Sequence, residues 1–241
     1  MHLETHGRIL NHHLETVNPP SRAVSFARSG AIVAPKQPSA AEADKSMSPR
    51  PRKASDDEVF AAAARVMQRL GPHELTLAHI AEEAGITAGA LVQRFGSKRD
   101  LMLRLMEQFS GGTGEMFAEL RRGHRSPLAI IRAYAECMAG MAETPEALMR
   151  NLSYLQMDLT DPALRPHLAK SAKSTRDEMQ RLIREAVEAR ELLPSVNPKQ
   201  LARTLEAVIA GSMLSWAHYQ EGTCAKWVRD DLNAILKPYL K

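Results

Sequence analysis

The chain has 241 residues, 44% of them hydrophobic, with a formal net charge of +4. That length allows one large domain or two small ones with a real core, and a mild basic balance permits a nucleic-acid partner without demanding one. Two distant cysteines (Cys137 and Cys224), no apolar run near the roughly 18 residues of a membrane span and no secretion signal exclude a disulfide scaffold and a membrane partner; the expected setting is cytoplasmic.

Residues 1–54 mix His, Pro, Ser and Ala without a sustained period, so they read as a disordered tail. His2, His6, His12 and His13 lack an ordered scaffold and read as solvated rather than metal-binding. Two readings of the start stay open: a translated tail, or a frame over-extended upstream of a true start at Met47. The "RPRK" at 50–53 reads either as a basic arm against a phosphate backbone or as a linker.

From Ser55 onward everything reads as helix, and no segment alternates apolar and polar residues as strands do. "SDDE" at 55–58 is a capping box, and Val59, Ala63, Val66, Met67 and Leu70 form one apolar face behind it. Gly71-Pro72 ends that helix. A second runs from Thr76 to about Ala84, closed by Gly85; Thr87 caps a third to about Phe95; Ser97 and Asp100 open a fourth. "SGGTGE" at 110–115 interrupts or kinks the fourth helix. Later periodic segments span about 127–143, 145–158, 163–191, 198–221 and 224–240. The expectation is an all-α protein of about nine helices.

In "TLAHIAEEAGITAGALVQRF" (76–95) two short helices meet at Gly85. Ala81 is small where they cross, and Ile80, Ile86 and Leu91 supply a shared core. This is helix-turn-helix logic: the first helix braces, and the second offers its N-terminal half to the major groove. Residues 47–110 carry nine Lys/Arg against eight Asp/Glu, so contact with DNA must come from placement of charge rather than its sum.

The wider stretch 59–109 resembles the N-terminal domain of TetR/AcrR-type regulators. The matching features are the alanine-rich Ala61–Leu70 with Gly71, Thr76 with Ile80-Ala81, Ala84-Gly85-Ile86, and Phe95-Gly96-Ser97-Lys98. The resemblance implies a three-helix DNA-binding domain over 55–110 and a helical effector-binding and dimerisation domain over 111–241. It also implies a ligand-responsive regulator, by default a repressor, that binds a near-palindromic operator as a homodimer. The chain departs from the family at Thr87-Ala88-Gly89-Ala90-Leu91-Val92, where members often carry Ser-Lys-Gly-Thr-Leu-Tyr.

The expected DNA contacts are therefore sparse. Gln93 suits the adenine edge and Arg94 suits guanine or a phosphate, while Ala88, Ala90 and Val92 offer methyl contacts to thymine. Thr76 and Thr87 start the two helices, with Thr87 both cap and phosphate ligand. Amides at the starts of the third and fourth helices add phosphate contacts, and the resemblance implies one for Lys98.

In the second domain, two apolar stripes suggest the dimer seam: Leu205, Ile209 and Met213 on one helix, Val228, Leu232 and Ile235 on the next. Their alternative is to cover only their own core. A Met- and aromatic-rich set, Tyr134, Met138, Met141, Tyr154, Met157 and Trp216, is the candidate effector pocket for a small apolar or amphipathic ligand. No cofactor, metal or enzymatic activity is expected: "HELTLAH" lacks the spacing of a zinc helix, and nucleophile-elbow, P-loop and dinucleotide patterns are missing. The alternatives are a helical adaptor or sensor that has lost sequence-specific DNA binding, and an activator of the same fold.

Overall fold

Hydroxyl and amide side chains set the helix boundaries. Ser55, Thr76, Thr87, Ser97, Ser126, Thr144, Asn197 and Thr223 each precede a helix and accept a hydrogen bond from an amide of its first turn. Each such cap is worth about 1 kcal/mol relative to alanine. At Ser55 the bond is reciprocal: Ser55 Oγ accepts from Glu58 N, and Glu58 accepts from Ser55 N. In a computed structural model that describes residues 54–241, the helices are α1 (Asp56–Met67), α2 (Leu77–Ala84), α3 (Ala88–Phe95), α4 (Lys98–Phe109), α5 (Gly112–Gly123), α6 (Pro127–Ala139), α7 (Pro145–Thr160), α8 (Arg165–Glu188), α9 (Pro198–Tyr219) and α10 (Cys224–Leu236), of which α5 and α8 start without a side-chain cap.

The protein is all-α, as expected, with ten α-helices among the described residues rather than nine. The added one is α5: Ser110 and Gly111 break the chain for two residues, and a helix resumes through the glycines because Phe117 and Leu120 bury on its inner face. Two single 3-10 turns, at 140–142 and 237–239, shorten the segments expected to run to 143 and 240. The readings of residues 1–53 lie outside the described residues. Ala54, assigned to the tail, belongs to the fold and is buried.

Two apolar cores result. The first gathers Val59, Phe60, Val66, Leu75, Ile80, Leu91, Phe95, Leu101 and Leu105 from α1 to α4. The second is built by α5 to α10, with α6 packed against both α8 and α10, and α9 against both of its sequence neighbours. Near the end of the chain, Leu193 N donates to the Tyr239 carbonyl, tying the terminus back to the bundle.

The cores are joined by specific contacts. Tyr154 of α7 is buried among the α1–α4 residues, and its hydroxyl donates to the Leu70 carbonyl at 2.7 Å. Burial pushes the Tyr154 phenol pKa up, so it stays a donor. Arg99, at the start of α4, grips Asp161 just past α7 with two bonds of 2.9 and 2.8 Å. That guanidinium holds the Asp161 carboxyl below the usual aspartate range. No helix among the described residues is long and apolar enough to cross a membrane.

Candidate nucleic-acid interface

Helices α2 and α3 meet at Gly85, whose φ of 69° lies in the left-handed region that glycine enters without strain. Ile86 N then donates back to the Ala81 carbonyl at 3.0 Å, closing the turn. Leu91 and Phe95 anchor α3 in the first core. Arg69, just past α1, and Arg65 of α1 both bind the Glu83 carboxylate at 2.6 Å, locking α2 to α1 and its exit and holding that carboxyl below its ordinary pKa. A short helix is thereby fixed by its inner face and by the helix behind it.

Its outer face follows from helical spacing. Leu91 and Phe95 point inward, so Gly89 and Gln93, one turn apart, occupy the opposite ridge, flanked by Ala90 and Val92. All four are exposed, Val92 by 51%. Val92 therefore does not pack inward. A Cβ built on Gly89 meets nothing within 4 Å, so the absent side chain leaves an open notch beside Gln93 rather than relieving a clash. Ala88, Thr76 and Thr87 are also exposed. The two threonine oxygens accept from His79 N and Ala90 N at 3.2 Å, leaving each hydroxyl proton available.

The two cations assigned to DNA are engaged within the domain. Arg94 donates to the Ala54 carbonyl at 2.5 Å and pairs with Asp56, with its guanidinium 5.4 Å from the centre of the Phe95 ring. Lys98 Nζ donates to the Pro72 and Leu75 carbonyls at 3.0 and 2.9 Å. Arg94 thus ties α3 to the start of α1, and Lys98 ties α4 to the loop between α1 and α2.

The two stripes expected to form a dimer seam lie for the most part against their own chain. Leu205, Ile209, Val228 and Leu232 are buried in the second core of the same chain, and Met213 and Ile235 pack against it. The four buried side chains are enclosed by their own protomer, while Met213 and Ile235 stay half-buried. The side of α9 turned outward carries Ala207, Ala210, Gly211 and Leu214. Between the helices, Ser212 Oγ donates to Asp231 Oδ2 at 2.6 Å.

The expected effector residues do not form one pocket. Tyr134 stacks on Phe117 with ring centres 5.1 Å apart inside the second core, and Met138 packs there too. Trp216 is buried at the end of α9 and donates to the Gly222 carbonyl at 3.2 Å. Met157 packs against the first core. Met141 and Tyr154 do come together, in a cleft of about 530 Å³ between α1 and α7. Leu155 also lines it, as do Met67, Arg150 and Asp158, which motif reading did not assign to a pocket. The sequence signal for Asp158 is faint: an acid set between the apolar Met157 and Leu159. No group of three or more His, Cys, Asp or Glu among the described residues is placed to hold a metal ion.

Two family patterns match the sequence. "Bacterial regulatory proteins, tetR family" covers residues 59–105, and "Tetracyclin repressor-like, C-terminal domain" covers 153–232; together they span more than half of the chain. Among curated proteins none matches. The fold is similar to a TetR transcription regulator from Haloarcula marismortui (15% identity, 77% of this chain and 98% of that one, TM-score 0.63). It is also similar to a putative transcriptional regulator from Saccharomonospora viridis solved with choline (20% identity, 77% and 97%, TM-score 0.62). A third similar structure is the reduced form of E. coli NemR (18% identity, 77% and 97%, TM-score 0.61). At these identities the structures speak for the fold, and the sequence patterns speak for the lineage. The chain belongs to the TetR family of bacterial transcriptional regulators.

Proposed function

We propose that the protein is a ligand-responsive repressor that binds a near-palindromic operator as a homodimer. The observation that carries this reading is the outer ridge of α3: an exposed, rigidly backed helix face with Gly89 and Gln93 at its centre. Gln93 pairs with a base edge, adenine N6/N7 being its best match. Ala88, Ala90 and Val92 meet thymine methyl groups, while the hydroxyls of Thr76 and Thr87 reach phosphates. Arg94 and Lys98 brace the domain and contribute positive potential near the backbone. With one amide on the ridge, DNA shape supplies part of the specificity.

A single α3 reads few base pairs, and a two-fold dimer doubles the site. The outward stripe Ala207, Ala210, Gly211 and Leu214 of α9 supports that pairing, because small residues let two helices approach closely. Effector binding favours a conformation in which the two reading helices are wrongly spaced for DNA. The protein acts by binding, without a cofactor and without catalysis, in the cytoplasm. One structure of this fold was solved with choline and another, FadR from Bacillus subtilis, with stearoyl-CoA, so the fold accommodates chemically unrelated ligands.

Selection from random duplexes, followed by gel-shift titration of the full chain, tests the reading. A selected near-palindrome bound as a dimer, with affinity falling steeply as salt rises, is the expected result. The inward engagement of Arg94 and Lys98 favours one rival, a helical adaptor without sequence preference. Failure to enrich any sequence establishes that rival instead.

A further inference from the structure

The cleft between α1 and α7 joins the two cores. One wall, Met67 with Ala64, belongs to the helix that backs α2; the other, Tyr154, Leu155 and Asp158, belongs to α7. Its walls mix an apolar patch, Ala64, Met67, Met141 and Leu155, with polar side chains that include Glu143 and Asn151, and the Tyr154 hydroxyl is already committed to Leu70. Among the described residues nothing hydrogen-bonds to or ion-pairs with the Asp158 carboxylate, although that group is half-buried. The positive groups of the cleft do not reach it. Arg69 is held by Glu83. Arg150 lies eight residues earlier on α7, roughly 12 Å along the helix axis. Burial alone accounts for the upward shift of the Asp158 carboxyl, to about 6, and no nearby charge offsets it. A half-buried carboxylate without a partner, lining a cleft together with Met67, Met141 and Leu155, is costly to keep and fits a cation that arrives with a ligand.

We infer that this cleft is the effector site, and that it takes a small amphipathic amine whose ammonium group pairs with Asp158 and whose apolar body lies over Met67, Met141 and Leu155. This rests on the reading of the protein as a ligand-responsive regulator. The occupant touches α1 and α7 at once, so its binding bears directly on how the reading domain is held. It does so without passing through the second core, where Tyr134 and Trp216 are already packed.

The test uses the full-length protein at about pH 8, where Asp158 is ionised, and three probes with one tail: n-octylamine, octanoate and 1-octanol. Calorimetric titration should show octylamine binding well ahead of the other two. Asp158→Asn should weaken octylamine by about tenfold or more while leaving octanol unchanged. Equal binding of amine and carboxylate, no amine binding, or an amine affinity indifferent to Asp158→Asn would each overturn the site. The selected duplex separates this inference from the reading it rests on. Octylamine binding that depends on Asp158 but never releases DNA keeps the site and removes the regulatory role. Release of DNA by octylamine that persists in Asp158→Asn keeps the regulator and removes the site.

Discussion

Arg94 donates to the backbone carbonyl of Ala54, forty residues earlier, and pairs with Asp56 at the start of α1. A residue that sequence logic sends into the major groove is therefore a strut between the reading helix and the entry of the domain. The same inversion applies to Lys98, whose ammonium bridges the Pro72 and Leu75 carbonyls. Their substitution should reveal itself in stability before it does in specificity.

Lys98→Met removes two charge-assisted bonds to backbone carbonyls and leaves those acceptors to solvent. We expect a loss of about 1–2 kcal/mol in urea denaturation, with the helical content of the folded state unchanged. Arg94→Ala should cost about 1 kcal/mol, less because its bonds are partly exposed. A wild-type urea midpoint for both variants would return these side chains to the role of DNA contacts.

Gln93→Ala should weaken the selected duplex by about 1–3 kcal/mol and relax preference at one base pair per half-site. Binding to unrelated duplexes should hardly change. Gel-shift titration against single-base variants of the duplex reads this directly, and an unaltered preference profile would show that α3 does not read through its amide.

Tyr154→Phe leaves the Leu70 carbonyl without its donor while preserving the ring's packing. The expected cost is about 1 kcal/mol. Amide hydrogen exchange should rise at the end of α1 and not in the second core. Uniform change across both cores would indicate that the tyrosine does not act as a local fastener.

Asp158 carries a stability signature in pH. Its carboxyl is raised from 3.8 to about 6, so the folded protein holds a proton there that the unfolded chain has released. Between those values stability falls as pH rises, and above about 6 the full penalty applies. Asp158→Asn should therefore be more stable than wild type at neutral pH, by about 1 kcal/mol once solvent screening of a half-exposed group is allowed for. The advantage should fade as pH drops toward 4, roughly the unperturbed aspartate value. Thermal melts at several pH values check both the sign and the window.

Gly211→Glu places a charge on the outward stripe of α9. A Cβ there meets nothing within 4 Å, so the protomer should fold normally. Light scattering should report half the wild-type mass. A dimer of undiminished stability would move the partner surface elsewhere.

The reading domain was legible because its signals are local. Ser55, Thr76, Thr87 and Ser97 cap the helices that follow them, and Gly85 turns the chain where its φ demands. Helix α5 was not legible as a separate element: Gly111, Gly112 and Gly114 argue against a helix, and the burial of Phe117 that overrides them is tertiary. The direction of Arg94 depends on a backbone carbonyl distant in sequence, which no local pattern encodes. The α9 and α10 stripes were correctly seen as apolar, but a stripe does not say whether its cover is the same chain or another. The cleft was half visible, through Met141 and Tyr154. Its other wall, at Met67, exists only because α1 and α7 meet in space.

Tyr154 sits in the core of a module to which it does not belong by chain position. Modular transplantation, in which one regulator's reader is fused to another's sensor, must respect that placement. A hybrid that joins a foreign head to residues 111–241 carries Tyr154 and Asp161 across the junction, but leaves behind the Leu70 carbonyl and the Arg99 guanidinium that receive them. Such a hybrid would lack the hydrogen bond and the ion pair that join the two cores. An arginine at the start of the fourth helix and a pocket for one tyrosine ring are what the foreign head must supply to remake those contacts.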